Sequence, residues 1–253
     1  MISSPKITDQ TLSPDQNASG LLEAVPDALR YDCDRPLDPD EVSGIVAEMI
    51  PPGSRVLDVG CGGGVLTQLW ADKCKAEFVG IEPDPARAAR ARERGLEMHV
   101  GYLTEEIIRR IGSFDIVIFA DVLEHLPNPH AVLLLSRAAL KPRGAVIVSV
   151  PNVAHWSVRL CLLRGIFQYR ESGIMDATHL RWFTRDSIQA LLATSGFGTI
   201  QYRATAGPGL PENEYRAPLR WLSMSNRTRF LRAASKKWPT LFGAQQVLKA
   251  EMQ

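Results

Sequence analysis

The stretch VLDVGCGGG, from Val56 to Gly64, decides the fold of this chain. It opens with branched apolar residues typical of a buried β-strand, reaches an acid at Asp58, and breaks into a run rich in glycine. A helical pattern begins directly afterwards at Val65. Strand, glycine turn and helix in this order bring backbone N–H groups close to a ligand, with no Cβ atoms in the way.

The spacing of the glycines excludes two common nucleotide-binding motifs. A dinucleotide-binding G-x-G-x-x-G motif that starts at Gly60 needs a third glycine where Val65 stands. No Lys-Ser or Lys-Thr pair follows the glycines, which excludes a P-loop. What remains is G-x-G-x-G preceded by Asp58, which indicates a nucleoside-like ligand.

A second strand, predicted over Glu77 to Glu82, also ends in an acid. A carboxylate at this place in a doubly wound sheet can accept hydrogen bonds from both hydroxyls of a ribose. A helix is predicted from Ala86 to Arg94, with Gly95 at its end in a positive-φ conformation. Further strands are predicted at residues 97–101, 114–120, 145–150, 197–203 and 244–250.

Composition limits the class of protein. With 253 residues, of which 45% are hydrophobic, the chain can form one α/β domain, predicted over residues 21–253 after a disordered segment at residues 1–20. A net charge of +1 gives no reason to expect nucleic acid as a partner. The cysteines form no C-x-x-C pair, and no apolar run is long enough for a signal peptide or a membrane span. The sequence therefore predicts a cytoplasmic protein.

These motifs resemble those of the class I S-adenosylmethionine-dependent methyltransferases. The resemblance implies a seven-stranded, doubly wound, Rossmann-like α/β fold of strand order 3-2-1-4-5-7-6, with added helices after strand 5 and between strands 6 and 7. It also implies S-adenosylmethionine as cofactor, with its amino-acid end near Asp58 and its ribose at Glu82. The residues that it places around the cofactor are Tyr31, Asp58, Gly60, Cys61, Gly62, Gly64, Glu82, Pro83, Tyr102, Leu103, Asp121, Val122 and His125.

Two of these positions leave alternatives open. Tyr31 either closes over the cofactor or packs a helix onto the edge of the sheet. Family members usually carry Asp where Tyr102 stands, so Tyr102 and Leu103 are predicted only as walls of an adenine pocket.

An acidic and histidine-containing cluster follows the fourth strand, at Asp121, Glu124 and His125. In ubiquinone-biosynthesis O-methyltransferases a similar E-x-x-E-H cluster is associated with a divalent metal. Asp121 is shorter than the Glu that it replaces, and Glu-His recurs in relatives with no known metal. We therefore predict no metal here, and a cluster that braces the loop and the cofactor pocket.

The run from Pro151 to Thr184 resembles a bacterial subgroup that includes the methionine-biosynthesis protein W and methyltransferases of saccharides and secondary metabolites. Residues 155–183 are predicted as an acceptor-side insertion, with a helix over residues 156–163 that aligns Val158, Leu162 and Leu163 on one face. The predicted catalytic residues are His155 or His179 as general base, Asp176 to orient it, and Arg181 to hold an acceptor anion. A structural, hydrogen-bonding role is the alternative for either histidine.

A basic amphipathic insertion is predicted over residues 208–239. No acid occurs between Glu214 and Glu251, while arginines and lysines alternate with tryptophans and other apolar residues. Such a segment can contact an anionic membrane surface peripherally or receive a phosphate-bearing acceptor. The alternative is a lid or a dimer helix whose solvent face is basic, so a monomer and a homodimer both remain open.

The function predicted is O-methylation of a small-molecule, saccharide or lipid-linked acceptor. N-methylation of a small amine or sugar amine is an alternative, since an amine needs no strong base. A non-catalytic, cofactor-binding partner of a biosynthetic enzyme is the alternative from another class, which the resemblance to the methionine-biosynthesis protein permits.

Overall fold

The structure is a computed structural model that describes residues 37–206 and 221–253. Three sequence-based predictions fall outside these residues: the role of Tyr31, the disordered segment at residues 1–20, and the first part of the basic insertion.

The described residues form one seven-stranded sheet of order β3-β2-β1-β4-β5-β7-β6, which confirms the predicted fold. β7 is antiparallel to both of its neighbours, β5 and β6, while β1 to β5 pair in parallel. The strands are β1 Arg55–Val59, β2 Glu77–Glu82, β3 Glu97–Val100, β4 Phe114–Ala120, β5 Leu140–Pro151, β6 Phe197–Ala204 and β7 Gln245–Met252.

Helices cover both faces of this sheet. They are α1 Val42–Met49, α2 Val65–Cys74, α3 Pro85–Glu93, α4 Glu105–Ile111, α5 Pro129–Ala139, α6 Trp156–Leu162, α7 Arg185–Thr194, α8 Met224–Lys237 and α9 Pro239–Phe242, with a 3₁₀ turn at Leu123–His125. Side-chain caps start several of them: Asp84 accepts hydrogen bonds from two N–H groups of α3, and Thr184 forms a capping box with Ser187 on α7. Gly95, with φ 87°, follows α3 as predicted.

The core lies in two layers, one on each face of the sheet. Alternate residues of a strand point to opposite faces, so Leu57 and Val59 join one layer and Val56 joins the other. The second layer includes buried residues of α1, α2 and α3, and the first includes those of α4, α5 and α7. Since both faces are covered, the ligand-binding groups of the sheet are confined to its edges and strand ends.

Two elements differ from the sequence-based expectation. β5 begins at Leu140 and not at Ala145, because Leu140 already pairs with Phe114 before the register shifts. In α6 only Val158 is buried, whereas Leu163 is 82% exposed. The expected common apolar face of α6 is therefore wrong, and Leu162 and Leu163 face solvent in the acceptor-side insertion.

Candidate functional site

The glycine turn between β1 and α2 combines one tightly packed position with one open position. Gly60 has φ 78°, and a Cβ atom there would lie 2.7 Å from a methyl group of Val122, at the end of β4. Gly62 has φ 58°, and a Cβ atom there would meet nothing within 4 Å. The turn thus packs against the β4 end on one side and leaves room for a ligand beside Gly62.

Glu82 holds this turn from the end of β2. Its carboxylate is 4% exposed and accepts hydrogen bonds from the N–H groups of Gly62 at 2.9 Å and Asp84 at 3.0 Å. The predicted ribose-binding acid therefore does lie beside the glycine turn, at the carboxyl end of its strand.

Asp58 is buried beneath the same turn. The hydroxyl of Thr67, one turn into α2, donates a hydrogen bond of 2.6 Å to its carboxylate. Burial raises the pKa of Asp58 to about 7, with Thr67 lowering it and the charge of Glu82 raising it further. A cation that approached this carboxylate would favour its ionised form. Nothing in the sequence marked Thr67 as the partner, because it lies inside a helix.

The remaining predicted cofactor residues have differing environments. Tyr102 is 71% exposed just after β3, so its ring is free to contact a ligand, whereas Leu103 belongs to the hydrophobic core. The thiol of Cys61 lies 3.7 Å from the sulfur of Met98, and burial raises its pKa. Pro83 is exposed beside Glu82. Cys61 is thus a packing residue with an unreactive thiol.

Asp121 fastens three strands together at the end of β4. It adopts a left-handed conformation, with φ 54°. One carboxylate oxygen accepts a hydrogen bond from the Ser149 hydroxyl on β5, and the other from the side-chain amide of Gln245 on β7, both at 2.8 Å. Burial raises the pKa of Asp121, while these two hydrogen bonds lower it. Both oxygens are therefore already in use within the protein.

Glu124, His125 and His179 lie together beside this strand end. Their ligand atoms are all within 4.8 Å of one another, and the two imidazole rings contact edge to face with centroids 4.9 Å apart. Glu124 is 1% exposed, and neither of its carboxylate oxygens has a hydrogen-bond partner in the described part of the chain. Burial raises the pKa of Glu124 well above its usual value, and the charge of Asp121 adds to this.

Backbone hydrogen bonds bring the acceptor-side insertion to this place. The carbonyl oxygen of Glu124 accepts hydrogen bonds from the N–H groups of Leu180 and Arg181, at 2.8 and 3.0 Å. Consequently His179, which the sequence placed on the acceptor side, touches His125, which the sequence placed on the cofactor side. This contact joins the two predicted groups into one cluster.

The two histidines of the cluster are oriented in the same way. The Nδ1 atom of His125 lies 3.2 Å from the carbonyl oxygen of Thr178, and that of His179 lies 3.2 Å from the carbonyl oxygen of Ile174. A carbonyl can only accept, so each Nδ1 carries the proton and each Nε2 presents a lone pair. Burial lowers the pKa of His179, and so does the neighbouring His125.

His155 has a different environment. It precedes α6, is almost fully buried, and its Nδ1 atom lies 2.8 Å from the Ser157 hydroxyl. Burial lowers the pKa of His155 to about 4, while a hydrogen bond to the Phe242 carbonyl raises it. His155 is therefore neutral at pH 7 and is held between α6 and α9.

Asp176 and Arg181 form hydrogen bonds within the loops around the cluster. Asp176 is fully buried and accepts hydrogen bonds from the N–H group and the hydroxyl of Thr178, the latter at 2.7 Å. Thr178 in turn lies against His125. The exposed Arg181 donates a hydrogen bond of 2.6 Å to the carbonyl of Pro127. Thr178 was not anticipated from the sequence, since no spacing rule links it to His125.

The described part of the basic insertion is less cationic than its sequence suggests. Arg232 pairs with Asp38 at 2.8 Å and Lys236 with Asp40 at 3.0 Å. Arg229 is exposed, and the ammonium group of Lys237 lies 4.7 Å above the ring of Trp238. The outward charge of α8 is thus carried mainly by Arg229 and Lys237. No helix in the described ranges, 37–206 and 221–253, is long and apolar enough to cross a membrane.

Sequence comparison connects this site with known proteins. A family model described as a methyltransferase domain matches residues 32–202. Ubiquinone biosynthesis O-methyltransferases from Xanthomonas campestris and Xanthomonas axonopodis are each 35% identical over 122 residues, which is 46% of this chain and 51% of each relative. The chain thus spans about half the length of the curated relatives that it matches.

Solved structures show the same fold at low sequence identity. An S-adenosylmethionine-dependent methyltransferase from Archaeoglobus fulgidus is 18% identical with a TM-score of 0.55, covering 83% of this chain and 94% of its own. One from Mesorhizobium loti is 16% identical with a TM-score of 0.52, covering 83% and 98%. The [4+2]-cyclase SpnF is 18% identical with a TM-score of 0.54, covering 84% and 81%. These likenesses concern the fold alone.

Proposed function

Because the chain belongs to the methyltransferase domain family, whose model matches residues 32–202, we propose that it transfers the methyl group of S-adenosylmethionine to an oxygen atom of a small-molecule acceptor. S-adenosylmethionine is the cofactor that this membership implies. The observation that carries the proposal is the buried carboxylate of Glu82 beside the open position at Gly62.

The residues at the ends of β1 and β2 fit this cofactor. Glu82 is placed to accept hydrogen bonds from the ribose hydroxyls, and Gly62 lets the backbone approach. Asp58, under the turn, is proposed to bind the amino-acid end of the cofactor, because its carboxylate complements the ammonium group there. Tyr102 offers an exposed ring to the adenine. When bound, the cofactor supplies an electrophilic methyl group.

Transfer to oxygen is supported by the curated relatives, which are named O-methyltransferases. An alcohol acceptor must lose its proton as the new oxygen–carbon bond forms and the carbon–sulfur bond breaks. His179 is the proposed base, because it is neutral and its Nε2 atom presents a lone pair. His155 is the weaker candidate, since Ser157 and Phe242 already hold its ring.

The acceptor is proposed to enter beside residues 155–183. This stretch resembles methyltransferases of saccharides and secondary metabolites, and Glu124, His125 and His179 lie where it meets the end of β4. A saccharide or lipid-linked acceptor is therefore the class proposed. Positioning of the acceptor oxygen against the methyl group would supply much of the rate acceleration.

Turnover with a labelled methyl group, detected by mass spectrometry, tests the proposal on phenolic, saccharide and lipid-linked acceptors. We expect His179→Gln to retain cofactor affinity and to lose roughly 10²- to 10⁴-fold in turnover. His155→Gln, the matched control, should turn over at near-parent rate if it folds. Near-parent turnover in both variants would contradict a histidine base and favour N-methylation. Cofactor binding without any methyl transfer would favour a non-catalytic partner role.

We also propose that α8 and its flanks contact an anionic membrane surface peripherally. Arg229 and Lys237 carry outward positive charge, and Met224, Phe230 and Trp238 are exposed nearby along the same segment. Basic residues combined with exposed aromatic and apolar side chains are typical of interfacial helices. A lipid-linked acceptor would be reached at such a surface.

A further inference from the structure

We propose that Arg232 and Lys236 of α8 form an ion-pair latch with Asp38 and Asp40, and that this latch slows release of the cofactor from the candidate site. The inference rests on the proposed function for the identity of that ligand. The two acids lie on a short segment, the strap (residues 37–41), which leads into α1. Arg232 and Lys236 are positioning residues in the proposed reaction, because they act on the cofactor through the segment to which α8 belongs.

The strap and α8 are joined by ion pairs that share their partners. Arg232 lies 2.8 Å from Asp38 and 3.4 Å from Asp40, and Lys236 lies 3.0 Å from Asp40. The side chain of Asp40 takes part in two of these pairs and is only 17% exposed. An isolated ion pair at a protein surface contributes little, whereas several charges in one network contribute more. The network therefore fastens α8 to a segment from which Arg232 is 194 positions distant in the sequence.

Local hydrogen bonds give the strap a defined shape. One carboxylate oxygen of Asp38 accepts a hydrogen bond of 2.9 Å from the N–H group of Asp40, and the other accepts one of 2.8 Å from Arg232. The carbonyl oxygen of Asp38 accepts a hydrogen bond of 3.0 Å from the N–H group of Glu41. A Cβ atom at Gly44, in α1, would clash with that carbonyl oxygen, so the strap packs closely on the helix. The strap is therefore a closed turn fixed to the start of α1, and α8 is the element that the latch holds in place.

The strap and α8 lie at the edge of the sheet where the parallel strands end, which is also the edge of the candidate site. α8 belongs to the segment between β6 and β7, and β7 begins beside the end of β5, where Gln245 pairs with Pro151. The strap reaches the same edge, because the carbonyl oxygen of Asp40 accepts a hydrogen bond from the N–H group of Ala206, just after β6. The latch therefore joins two parts of the chain at the rim of the site.

The segment that follows α8 contacts the candidate site directly. It passes through α9 to Gln245, whose side-chain amide donates a hydrogen bond of 2.8 Å to Asp121. The carbonyl oxygen of Phe242, at the end of α9, accepts a hydrogen bond from His155. The rings of Phe230 on α8 and Phe242 pack edge to face with centroids 6.2 Å apart, so a displacement of α8 also displaces α9. Movement of α8 away from the strap would thus loosen the groups that contact Asp121 and His155.

A latch of this kind makes ligand release depend on salt. A ligand leaves a site bordered by a movable segment when that segment opens, and opening here breaks the three ion pairs of the latch. Salt screens exposed ion pairs and so favours the open state. S-adenosylhomocysteine, the demethylated cofactor, carries one ammonium and one carboxylate group and has no net charge. Salt should therefore act on its release mainly through the latch.

The test measures release of S-adenosylhomocysteine from the full chain by stopped-flow displacement, at low and at high salt. Arg232→Gln combined with Lys236→Gln should release the ligand roughly 5- to 30-fold faster than the parent at low salt. High salt should accelerate release from the parent and leave the double variant nearly unchanged. Asp40→Asn and Lys236→Gln should together accelerate release by less than the product of their single effects, because either change alone already breaks the pair.

Arg203→Gln is the matched control, because Arg203 forms an exposed ion pair of 3.4 Å with Glu48 of α1, outside the latch. This variant should release the ligand at the parent rate. Hydrogen exchange of residues 224–244, measured without ligand, should be faster in the double variant, because α8 is then no longer held to the strap. Thermal unfolding shows that each variant is folded, and Lys236→Gln alone, at a side chain that is 65% exposed, keeps the test valid if the double variant is not.

Release from the double variant at the parent rate, or equal acceleration by Arg203→Gln, would overturn the proposal whatever the hydrogen exchange shows. Release that depends on the latch, without methyl transfer to any acceptor, would refute the proposed function alone. Methyl transfer with unchanged release in the double variant would refute this inference alone. A parent protein that binds no S-adenosylhomocysteine would contradict both.

Discussion

Glu82 accepts a hydrogen bond from the glycine turn and is also the residue proposed to bind the ribose of the cofactor. Replacing it with Ala removes a carboxylate that can accept two hydrogen bonds, and cofactor binding should weaken by about 1.5–3 kcal/mol. Calorimetry with S-adenosylmethionine and its demethylated product measures this loss. Glu77→Ala is the control, since Glu77 is an exposed acid at the opposite end of β2. Unchanged affinity in the Glu82 variant would remove the ribose assignment.

Asp58 makes the stability of the cofactor-free protein depend on pH. Its pKa is about 7 in the folded chain, against 3.8 when unperturbed. Between these values the folded state holds a proton that the unfolded state has released, so this stabilising contribution is complete below about pH 4 and is lost as pH rises to about 7. Asp58→Asn removes the titration, so the free energy of unfolding of the variant minus that of the parent should increase from pH 5 to pH 8. Denaturant unfolding at several pH values measures it, and a constant difference would contradict the assignment.

At the scale of residues, the sequence was informative where the signal is local. Asp58, Gly60 and Glu82 follow from strand ends and turn chemistry, and they lie together as expected. The contact between His125 and His179 was not predictable, because it depends on the path of the insertion through space. The hydrogen-bond acceptors that orient these two rings are backbone carbonyls, which every residue has, so the sequence cannot identify them.

The turn between β1 and α2 packs against the end of β4, and a pair of substitutions can test this contact. Gly60 and Gly53 have similar positive φ values, 78° and 74°, so alanine is strained at both. A Cβ atom would clash with Val122 only at Gly60, since nothing lies within 4 Å at Gly53. Gly60→Ala should therefore destabilise by roughly 1–3 kcal/mol more than Gly53→Ala and weaken cofactor binding. Equal unfolding midpoints for the two variants, measured by thermal denaturation, would contradict packing of the turn against the β4 end.

Helices and strands were predicted correctly where the local hydrophobic pattern alone sets their bounds. β4 is buried along most of its length and has the bounds expected from its continuous apolar run. The start of β5 was not predicted correctly, because the pairing of Leu140 with Phe114 extends the strand upstream of Ala145. In α6 Val158 is buried but Leu160 and Leu162 are exposed, so the hydrophobic pattern alone did not reveal which face the protein covers.

The whole molecule has a fold that several reactions share. Among the structures that resemble it are methyltransferases and a [4+2]-cyclase, so the sheet order does not determine the chemistry. In this chain, residues 155–183 contribute backbone contacts to the end of β4, and α8 carries exposed basic residues. The proposals on the acceptor and on membrane contact rest on these two segments.

The basic surface of α8 leads to a prediction for the entire protein. Replacing Arg229 and Lys237 with Gln removes two outward charges, each of which contributes about 1 kcal/mol to binding an anionic membrane. Sedimentation with phosphatidylserine-containing vesicles should therefore show roughly 30-fold weaker binding by this double variant. The control is Arg109→Gln with Arg110→Gln, which removes the same charge from α4, where each arginine is paired with a glutamate. Binding should also decrease with added salt and be weak on neutral phosphatidylcholine vesicles. Equal sedimentation with both kinds of vesicle, or with neither, would favour a lid or a dimer helix, because Arg229 and Lys237 would then have no role at a membrane.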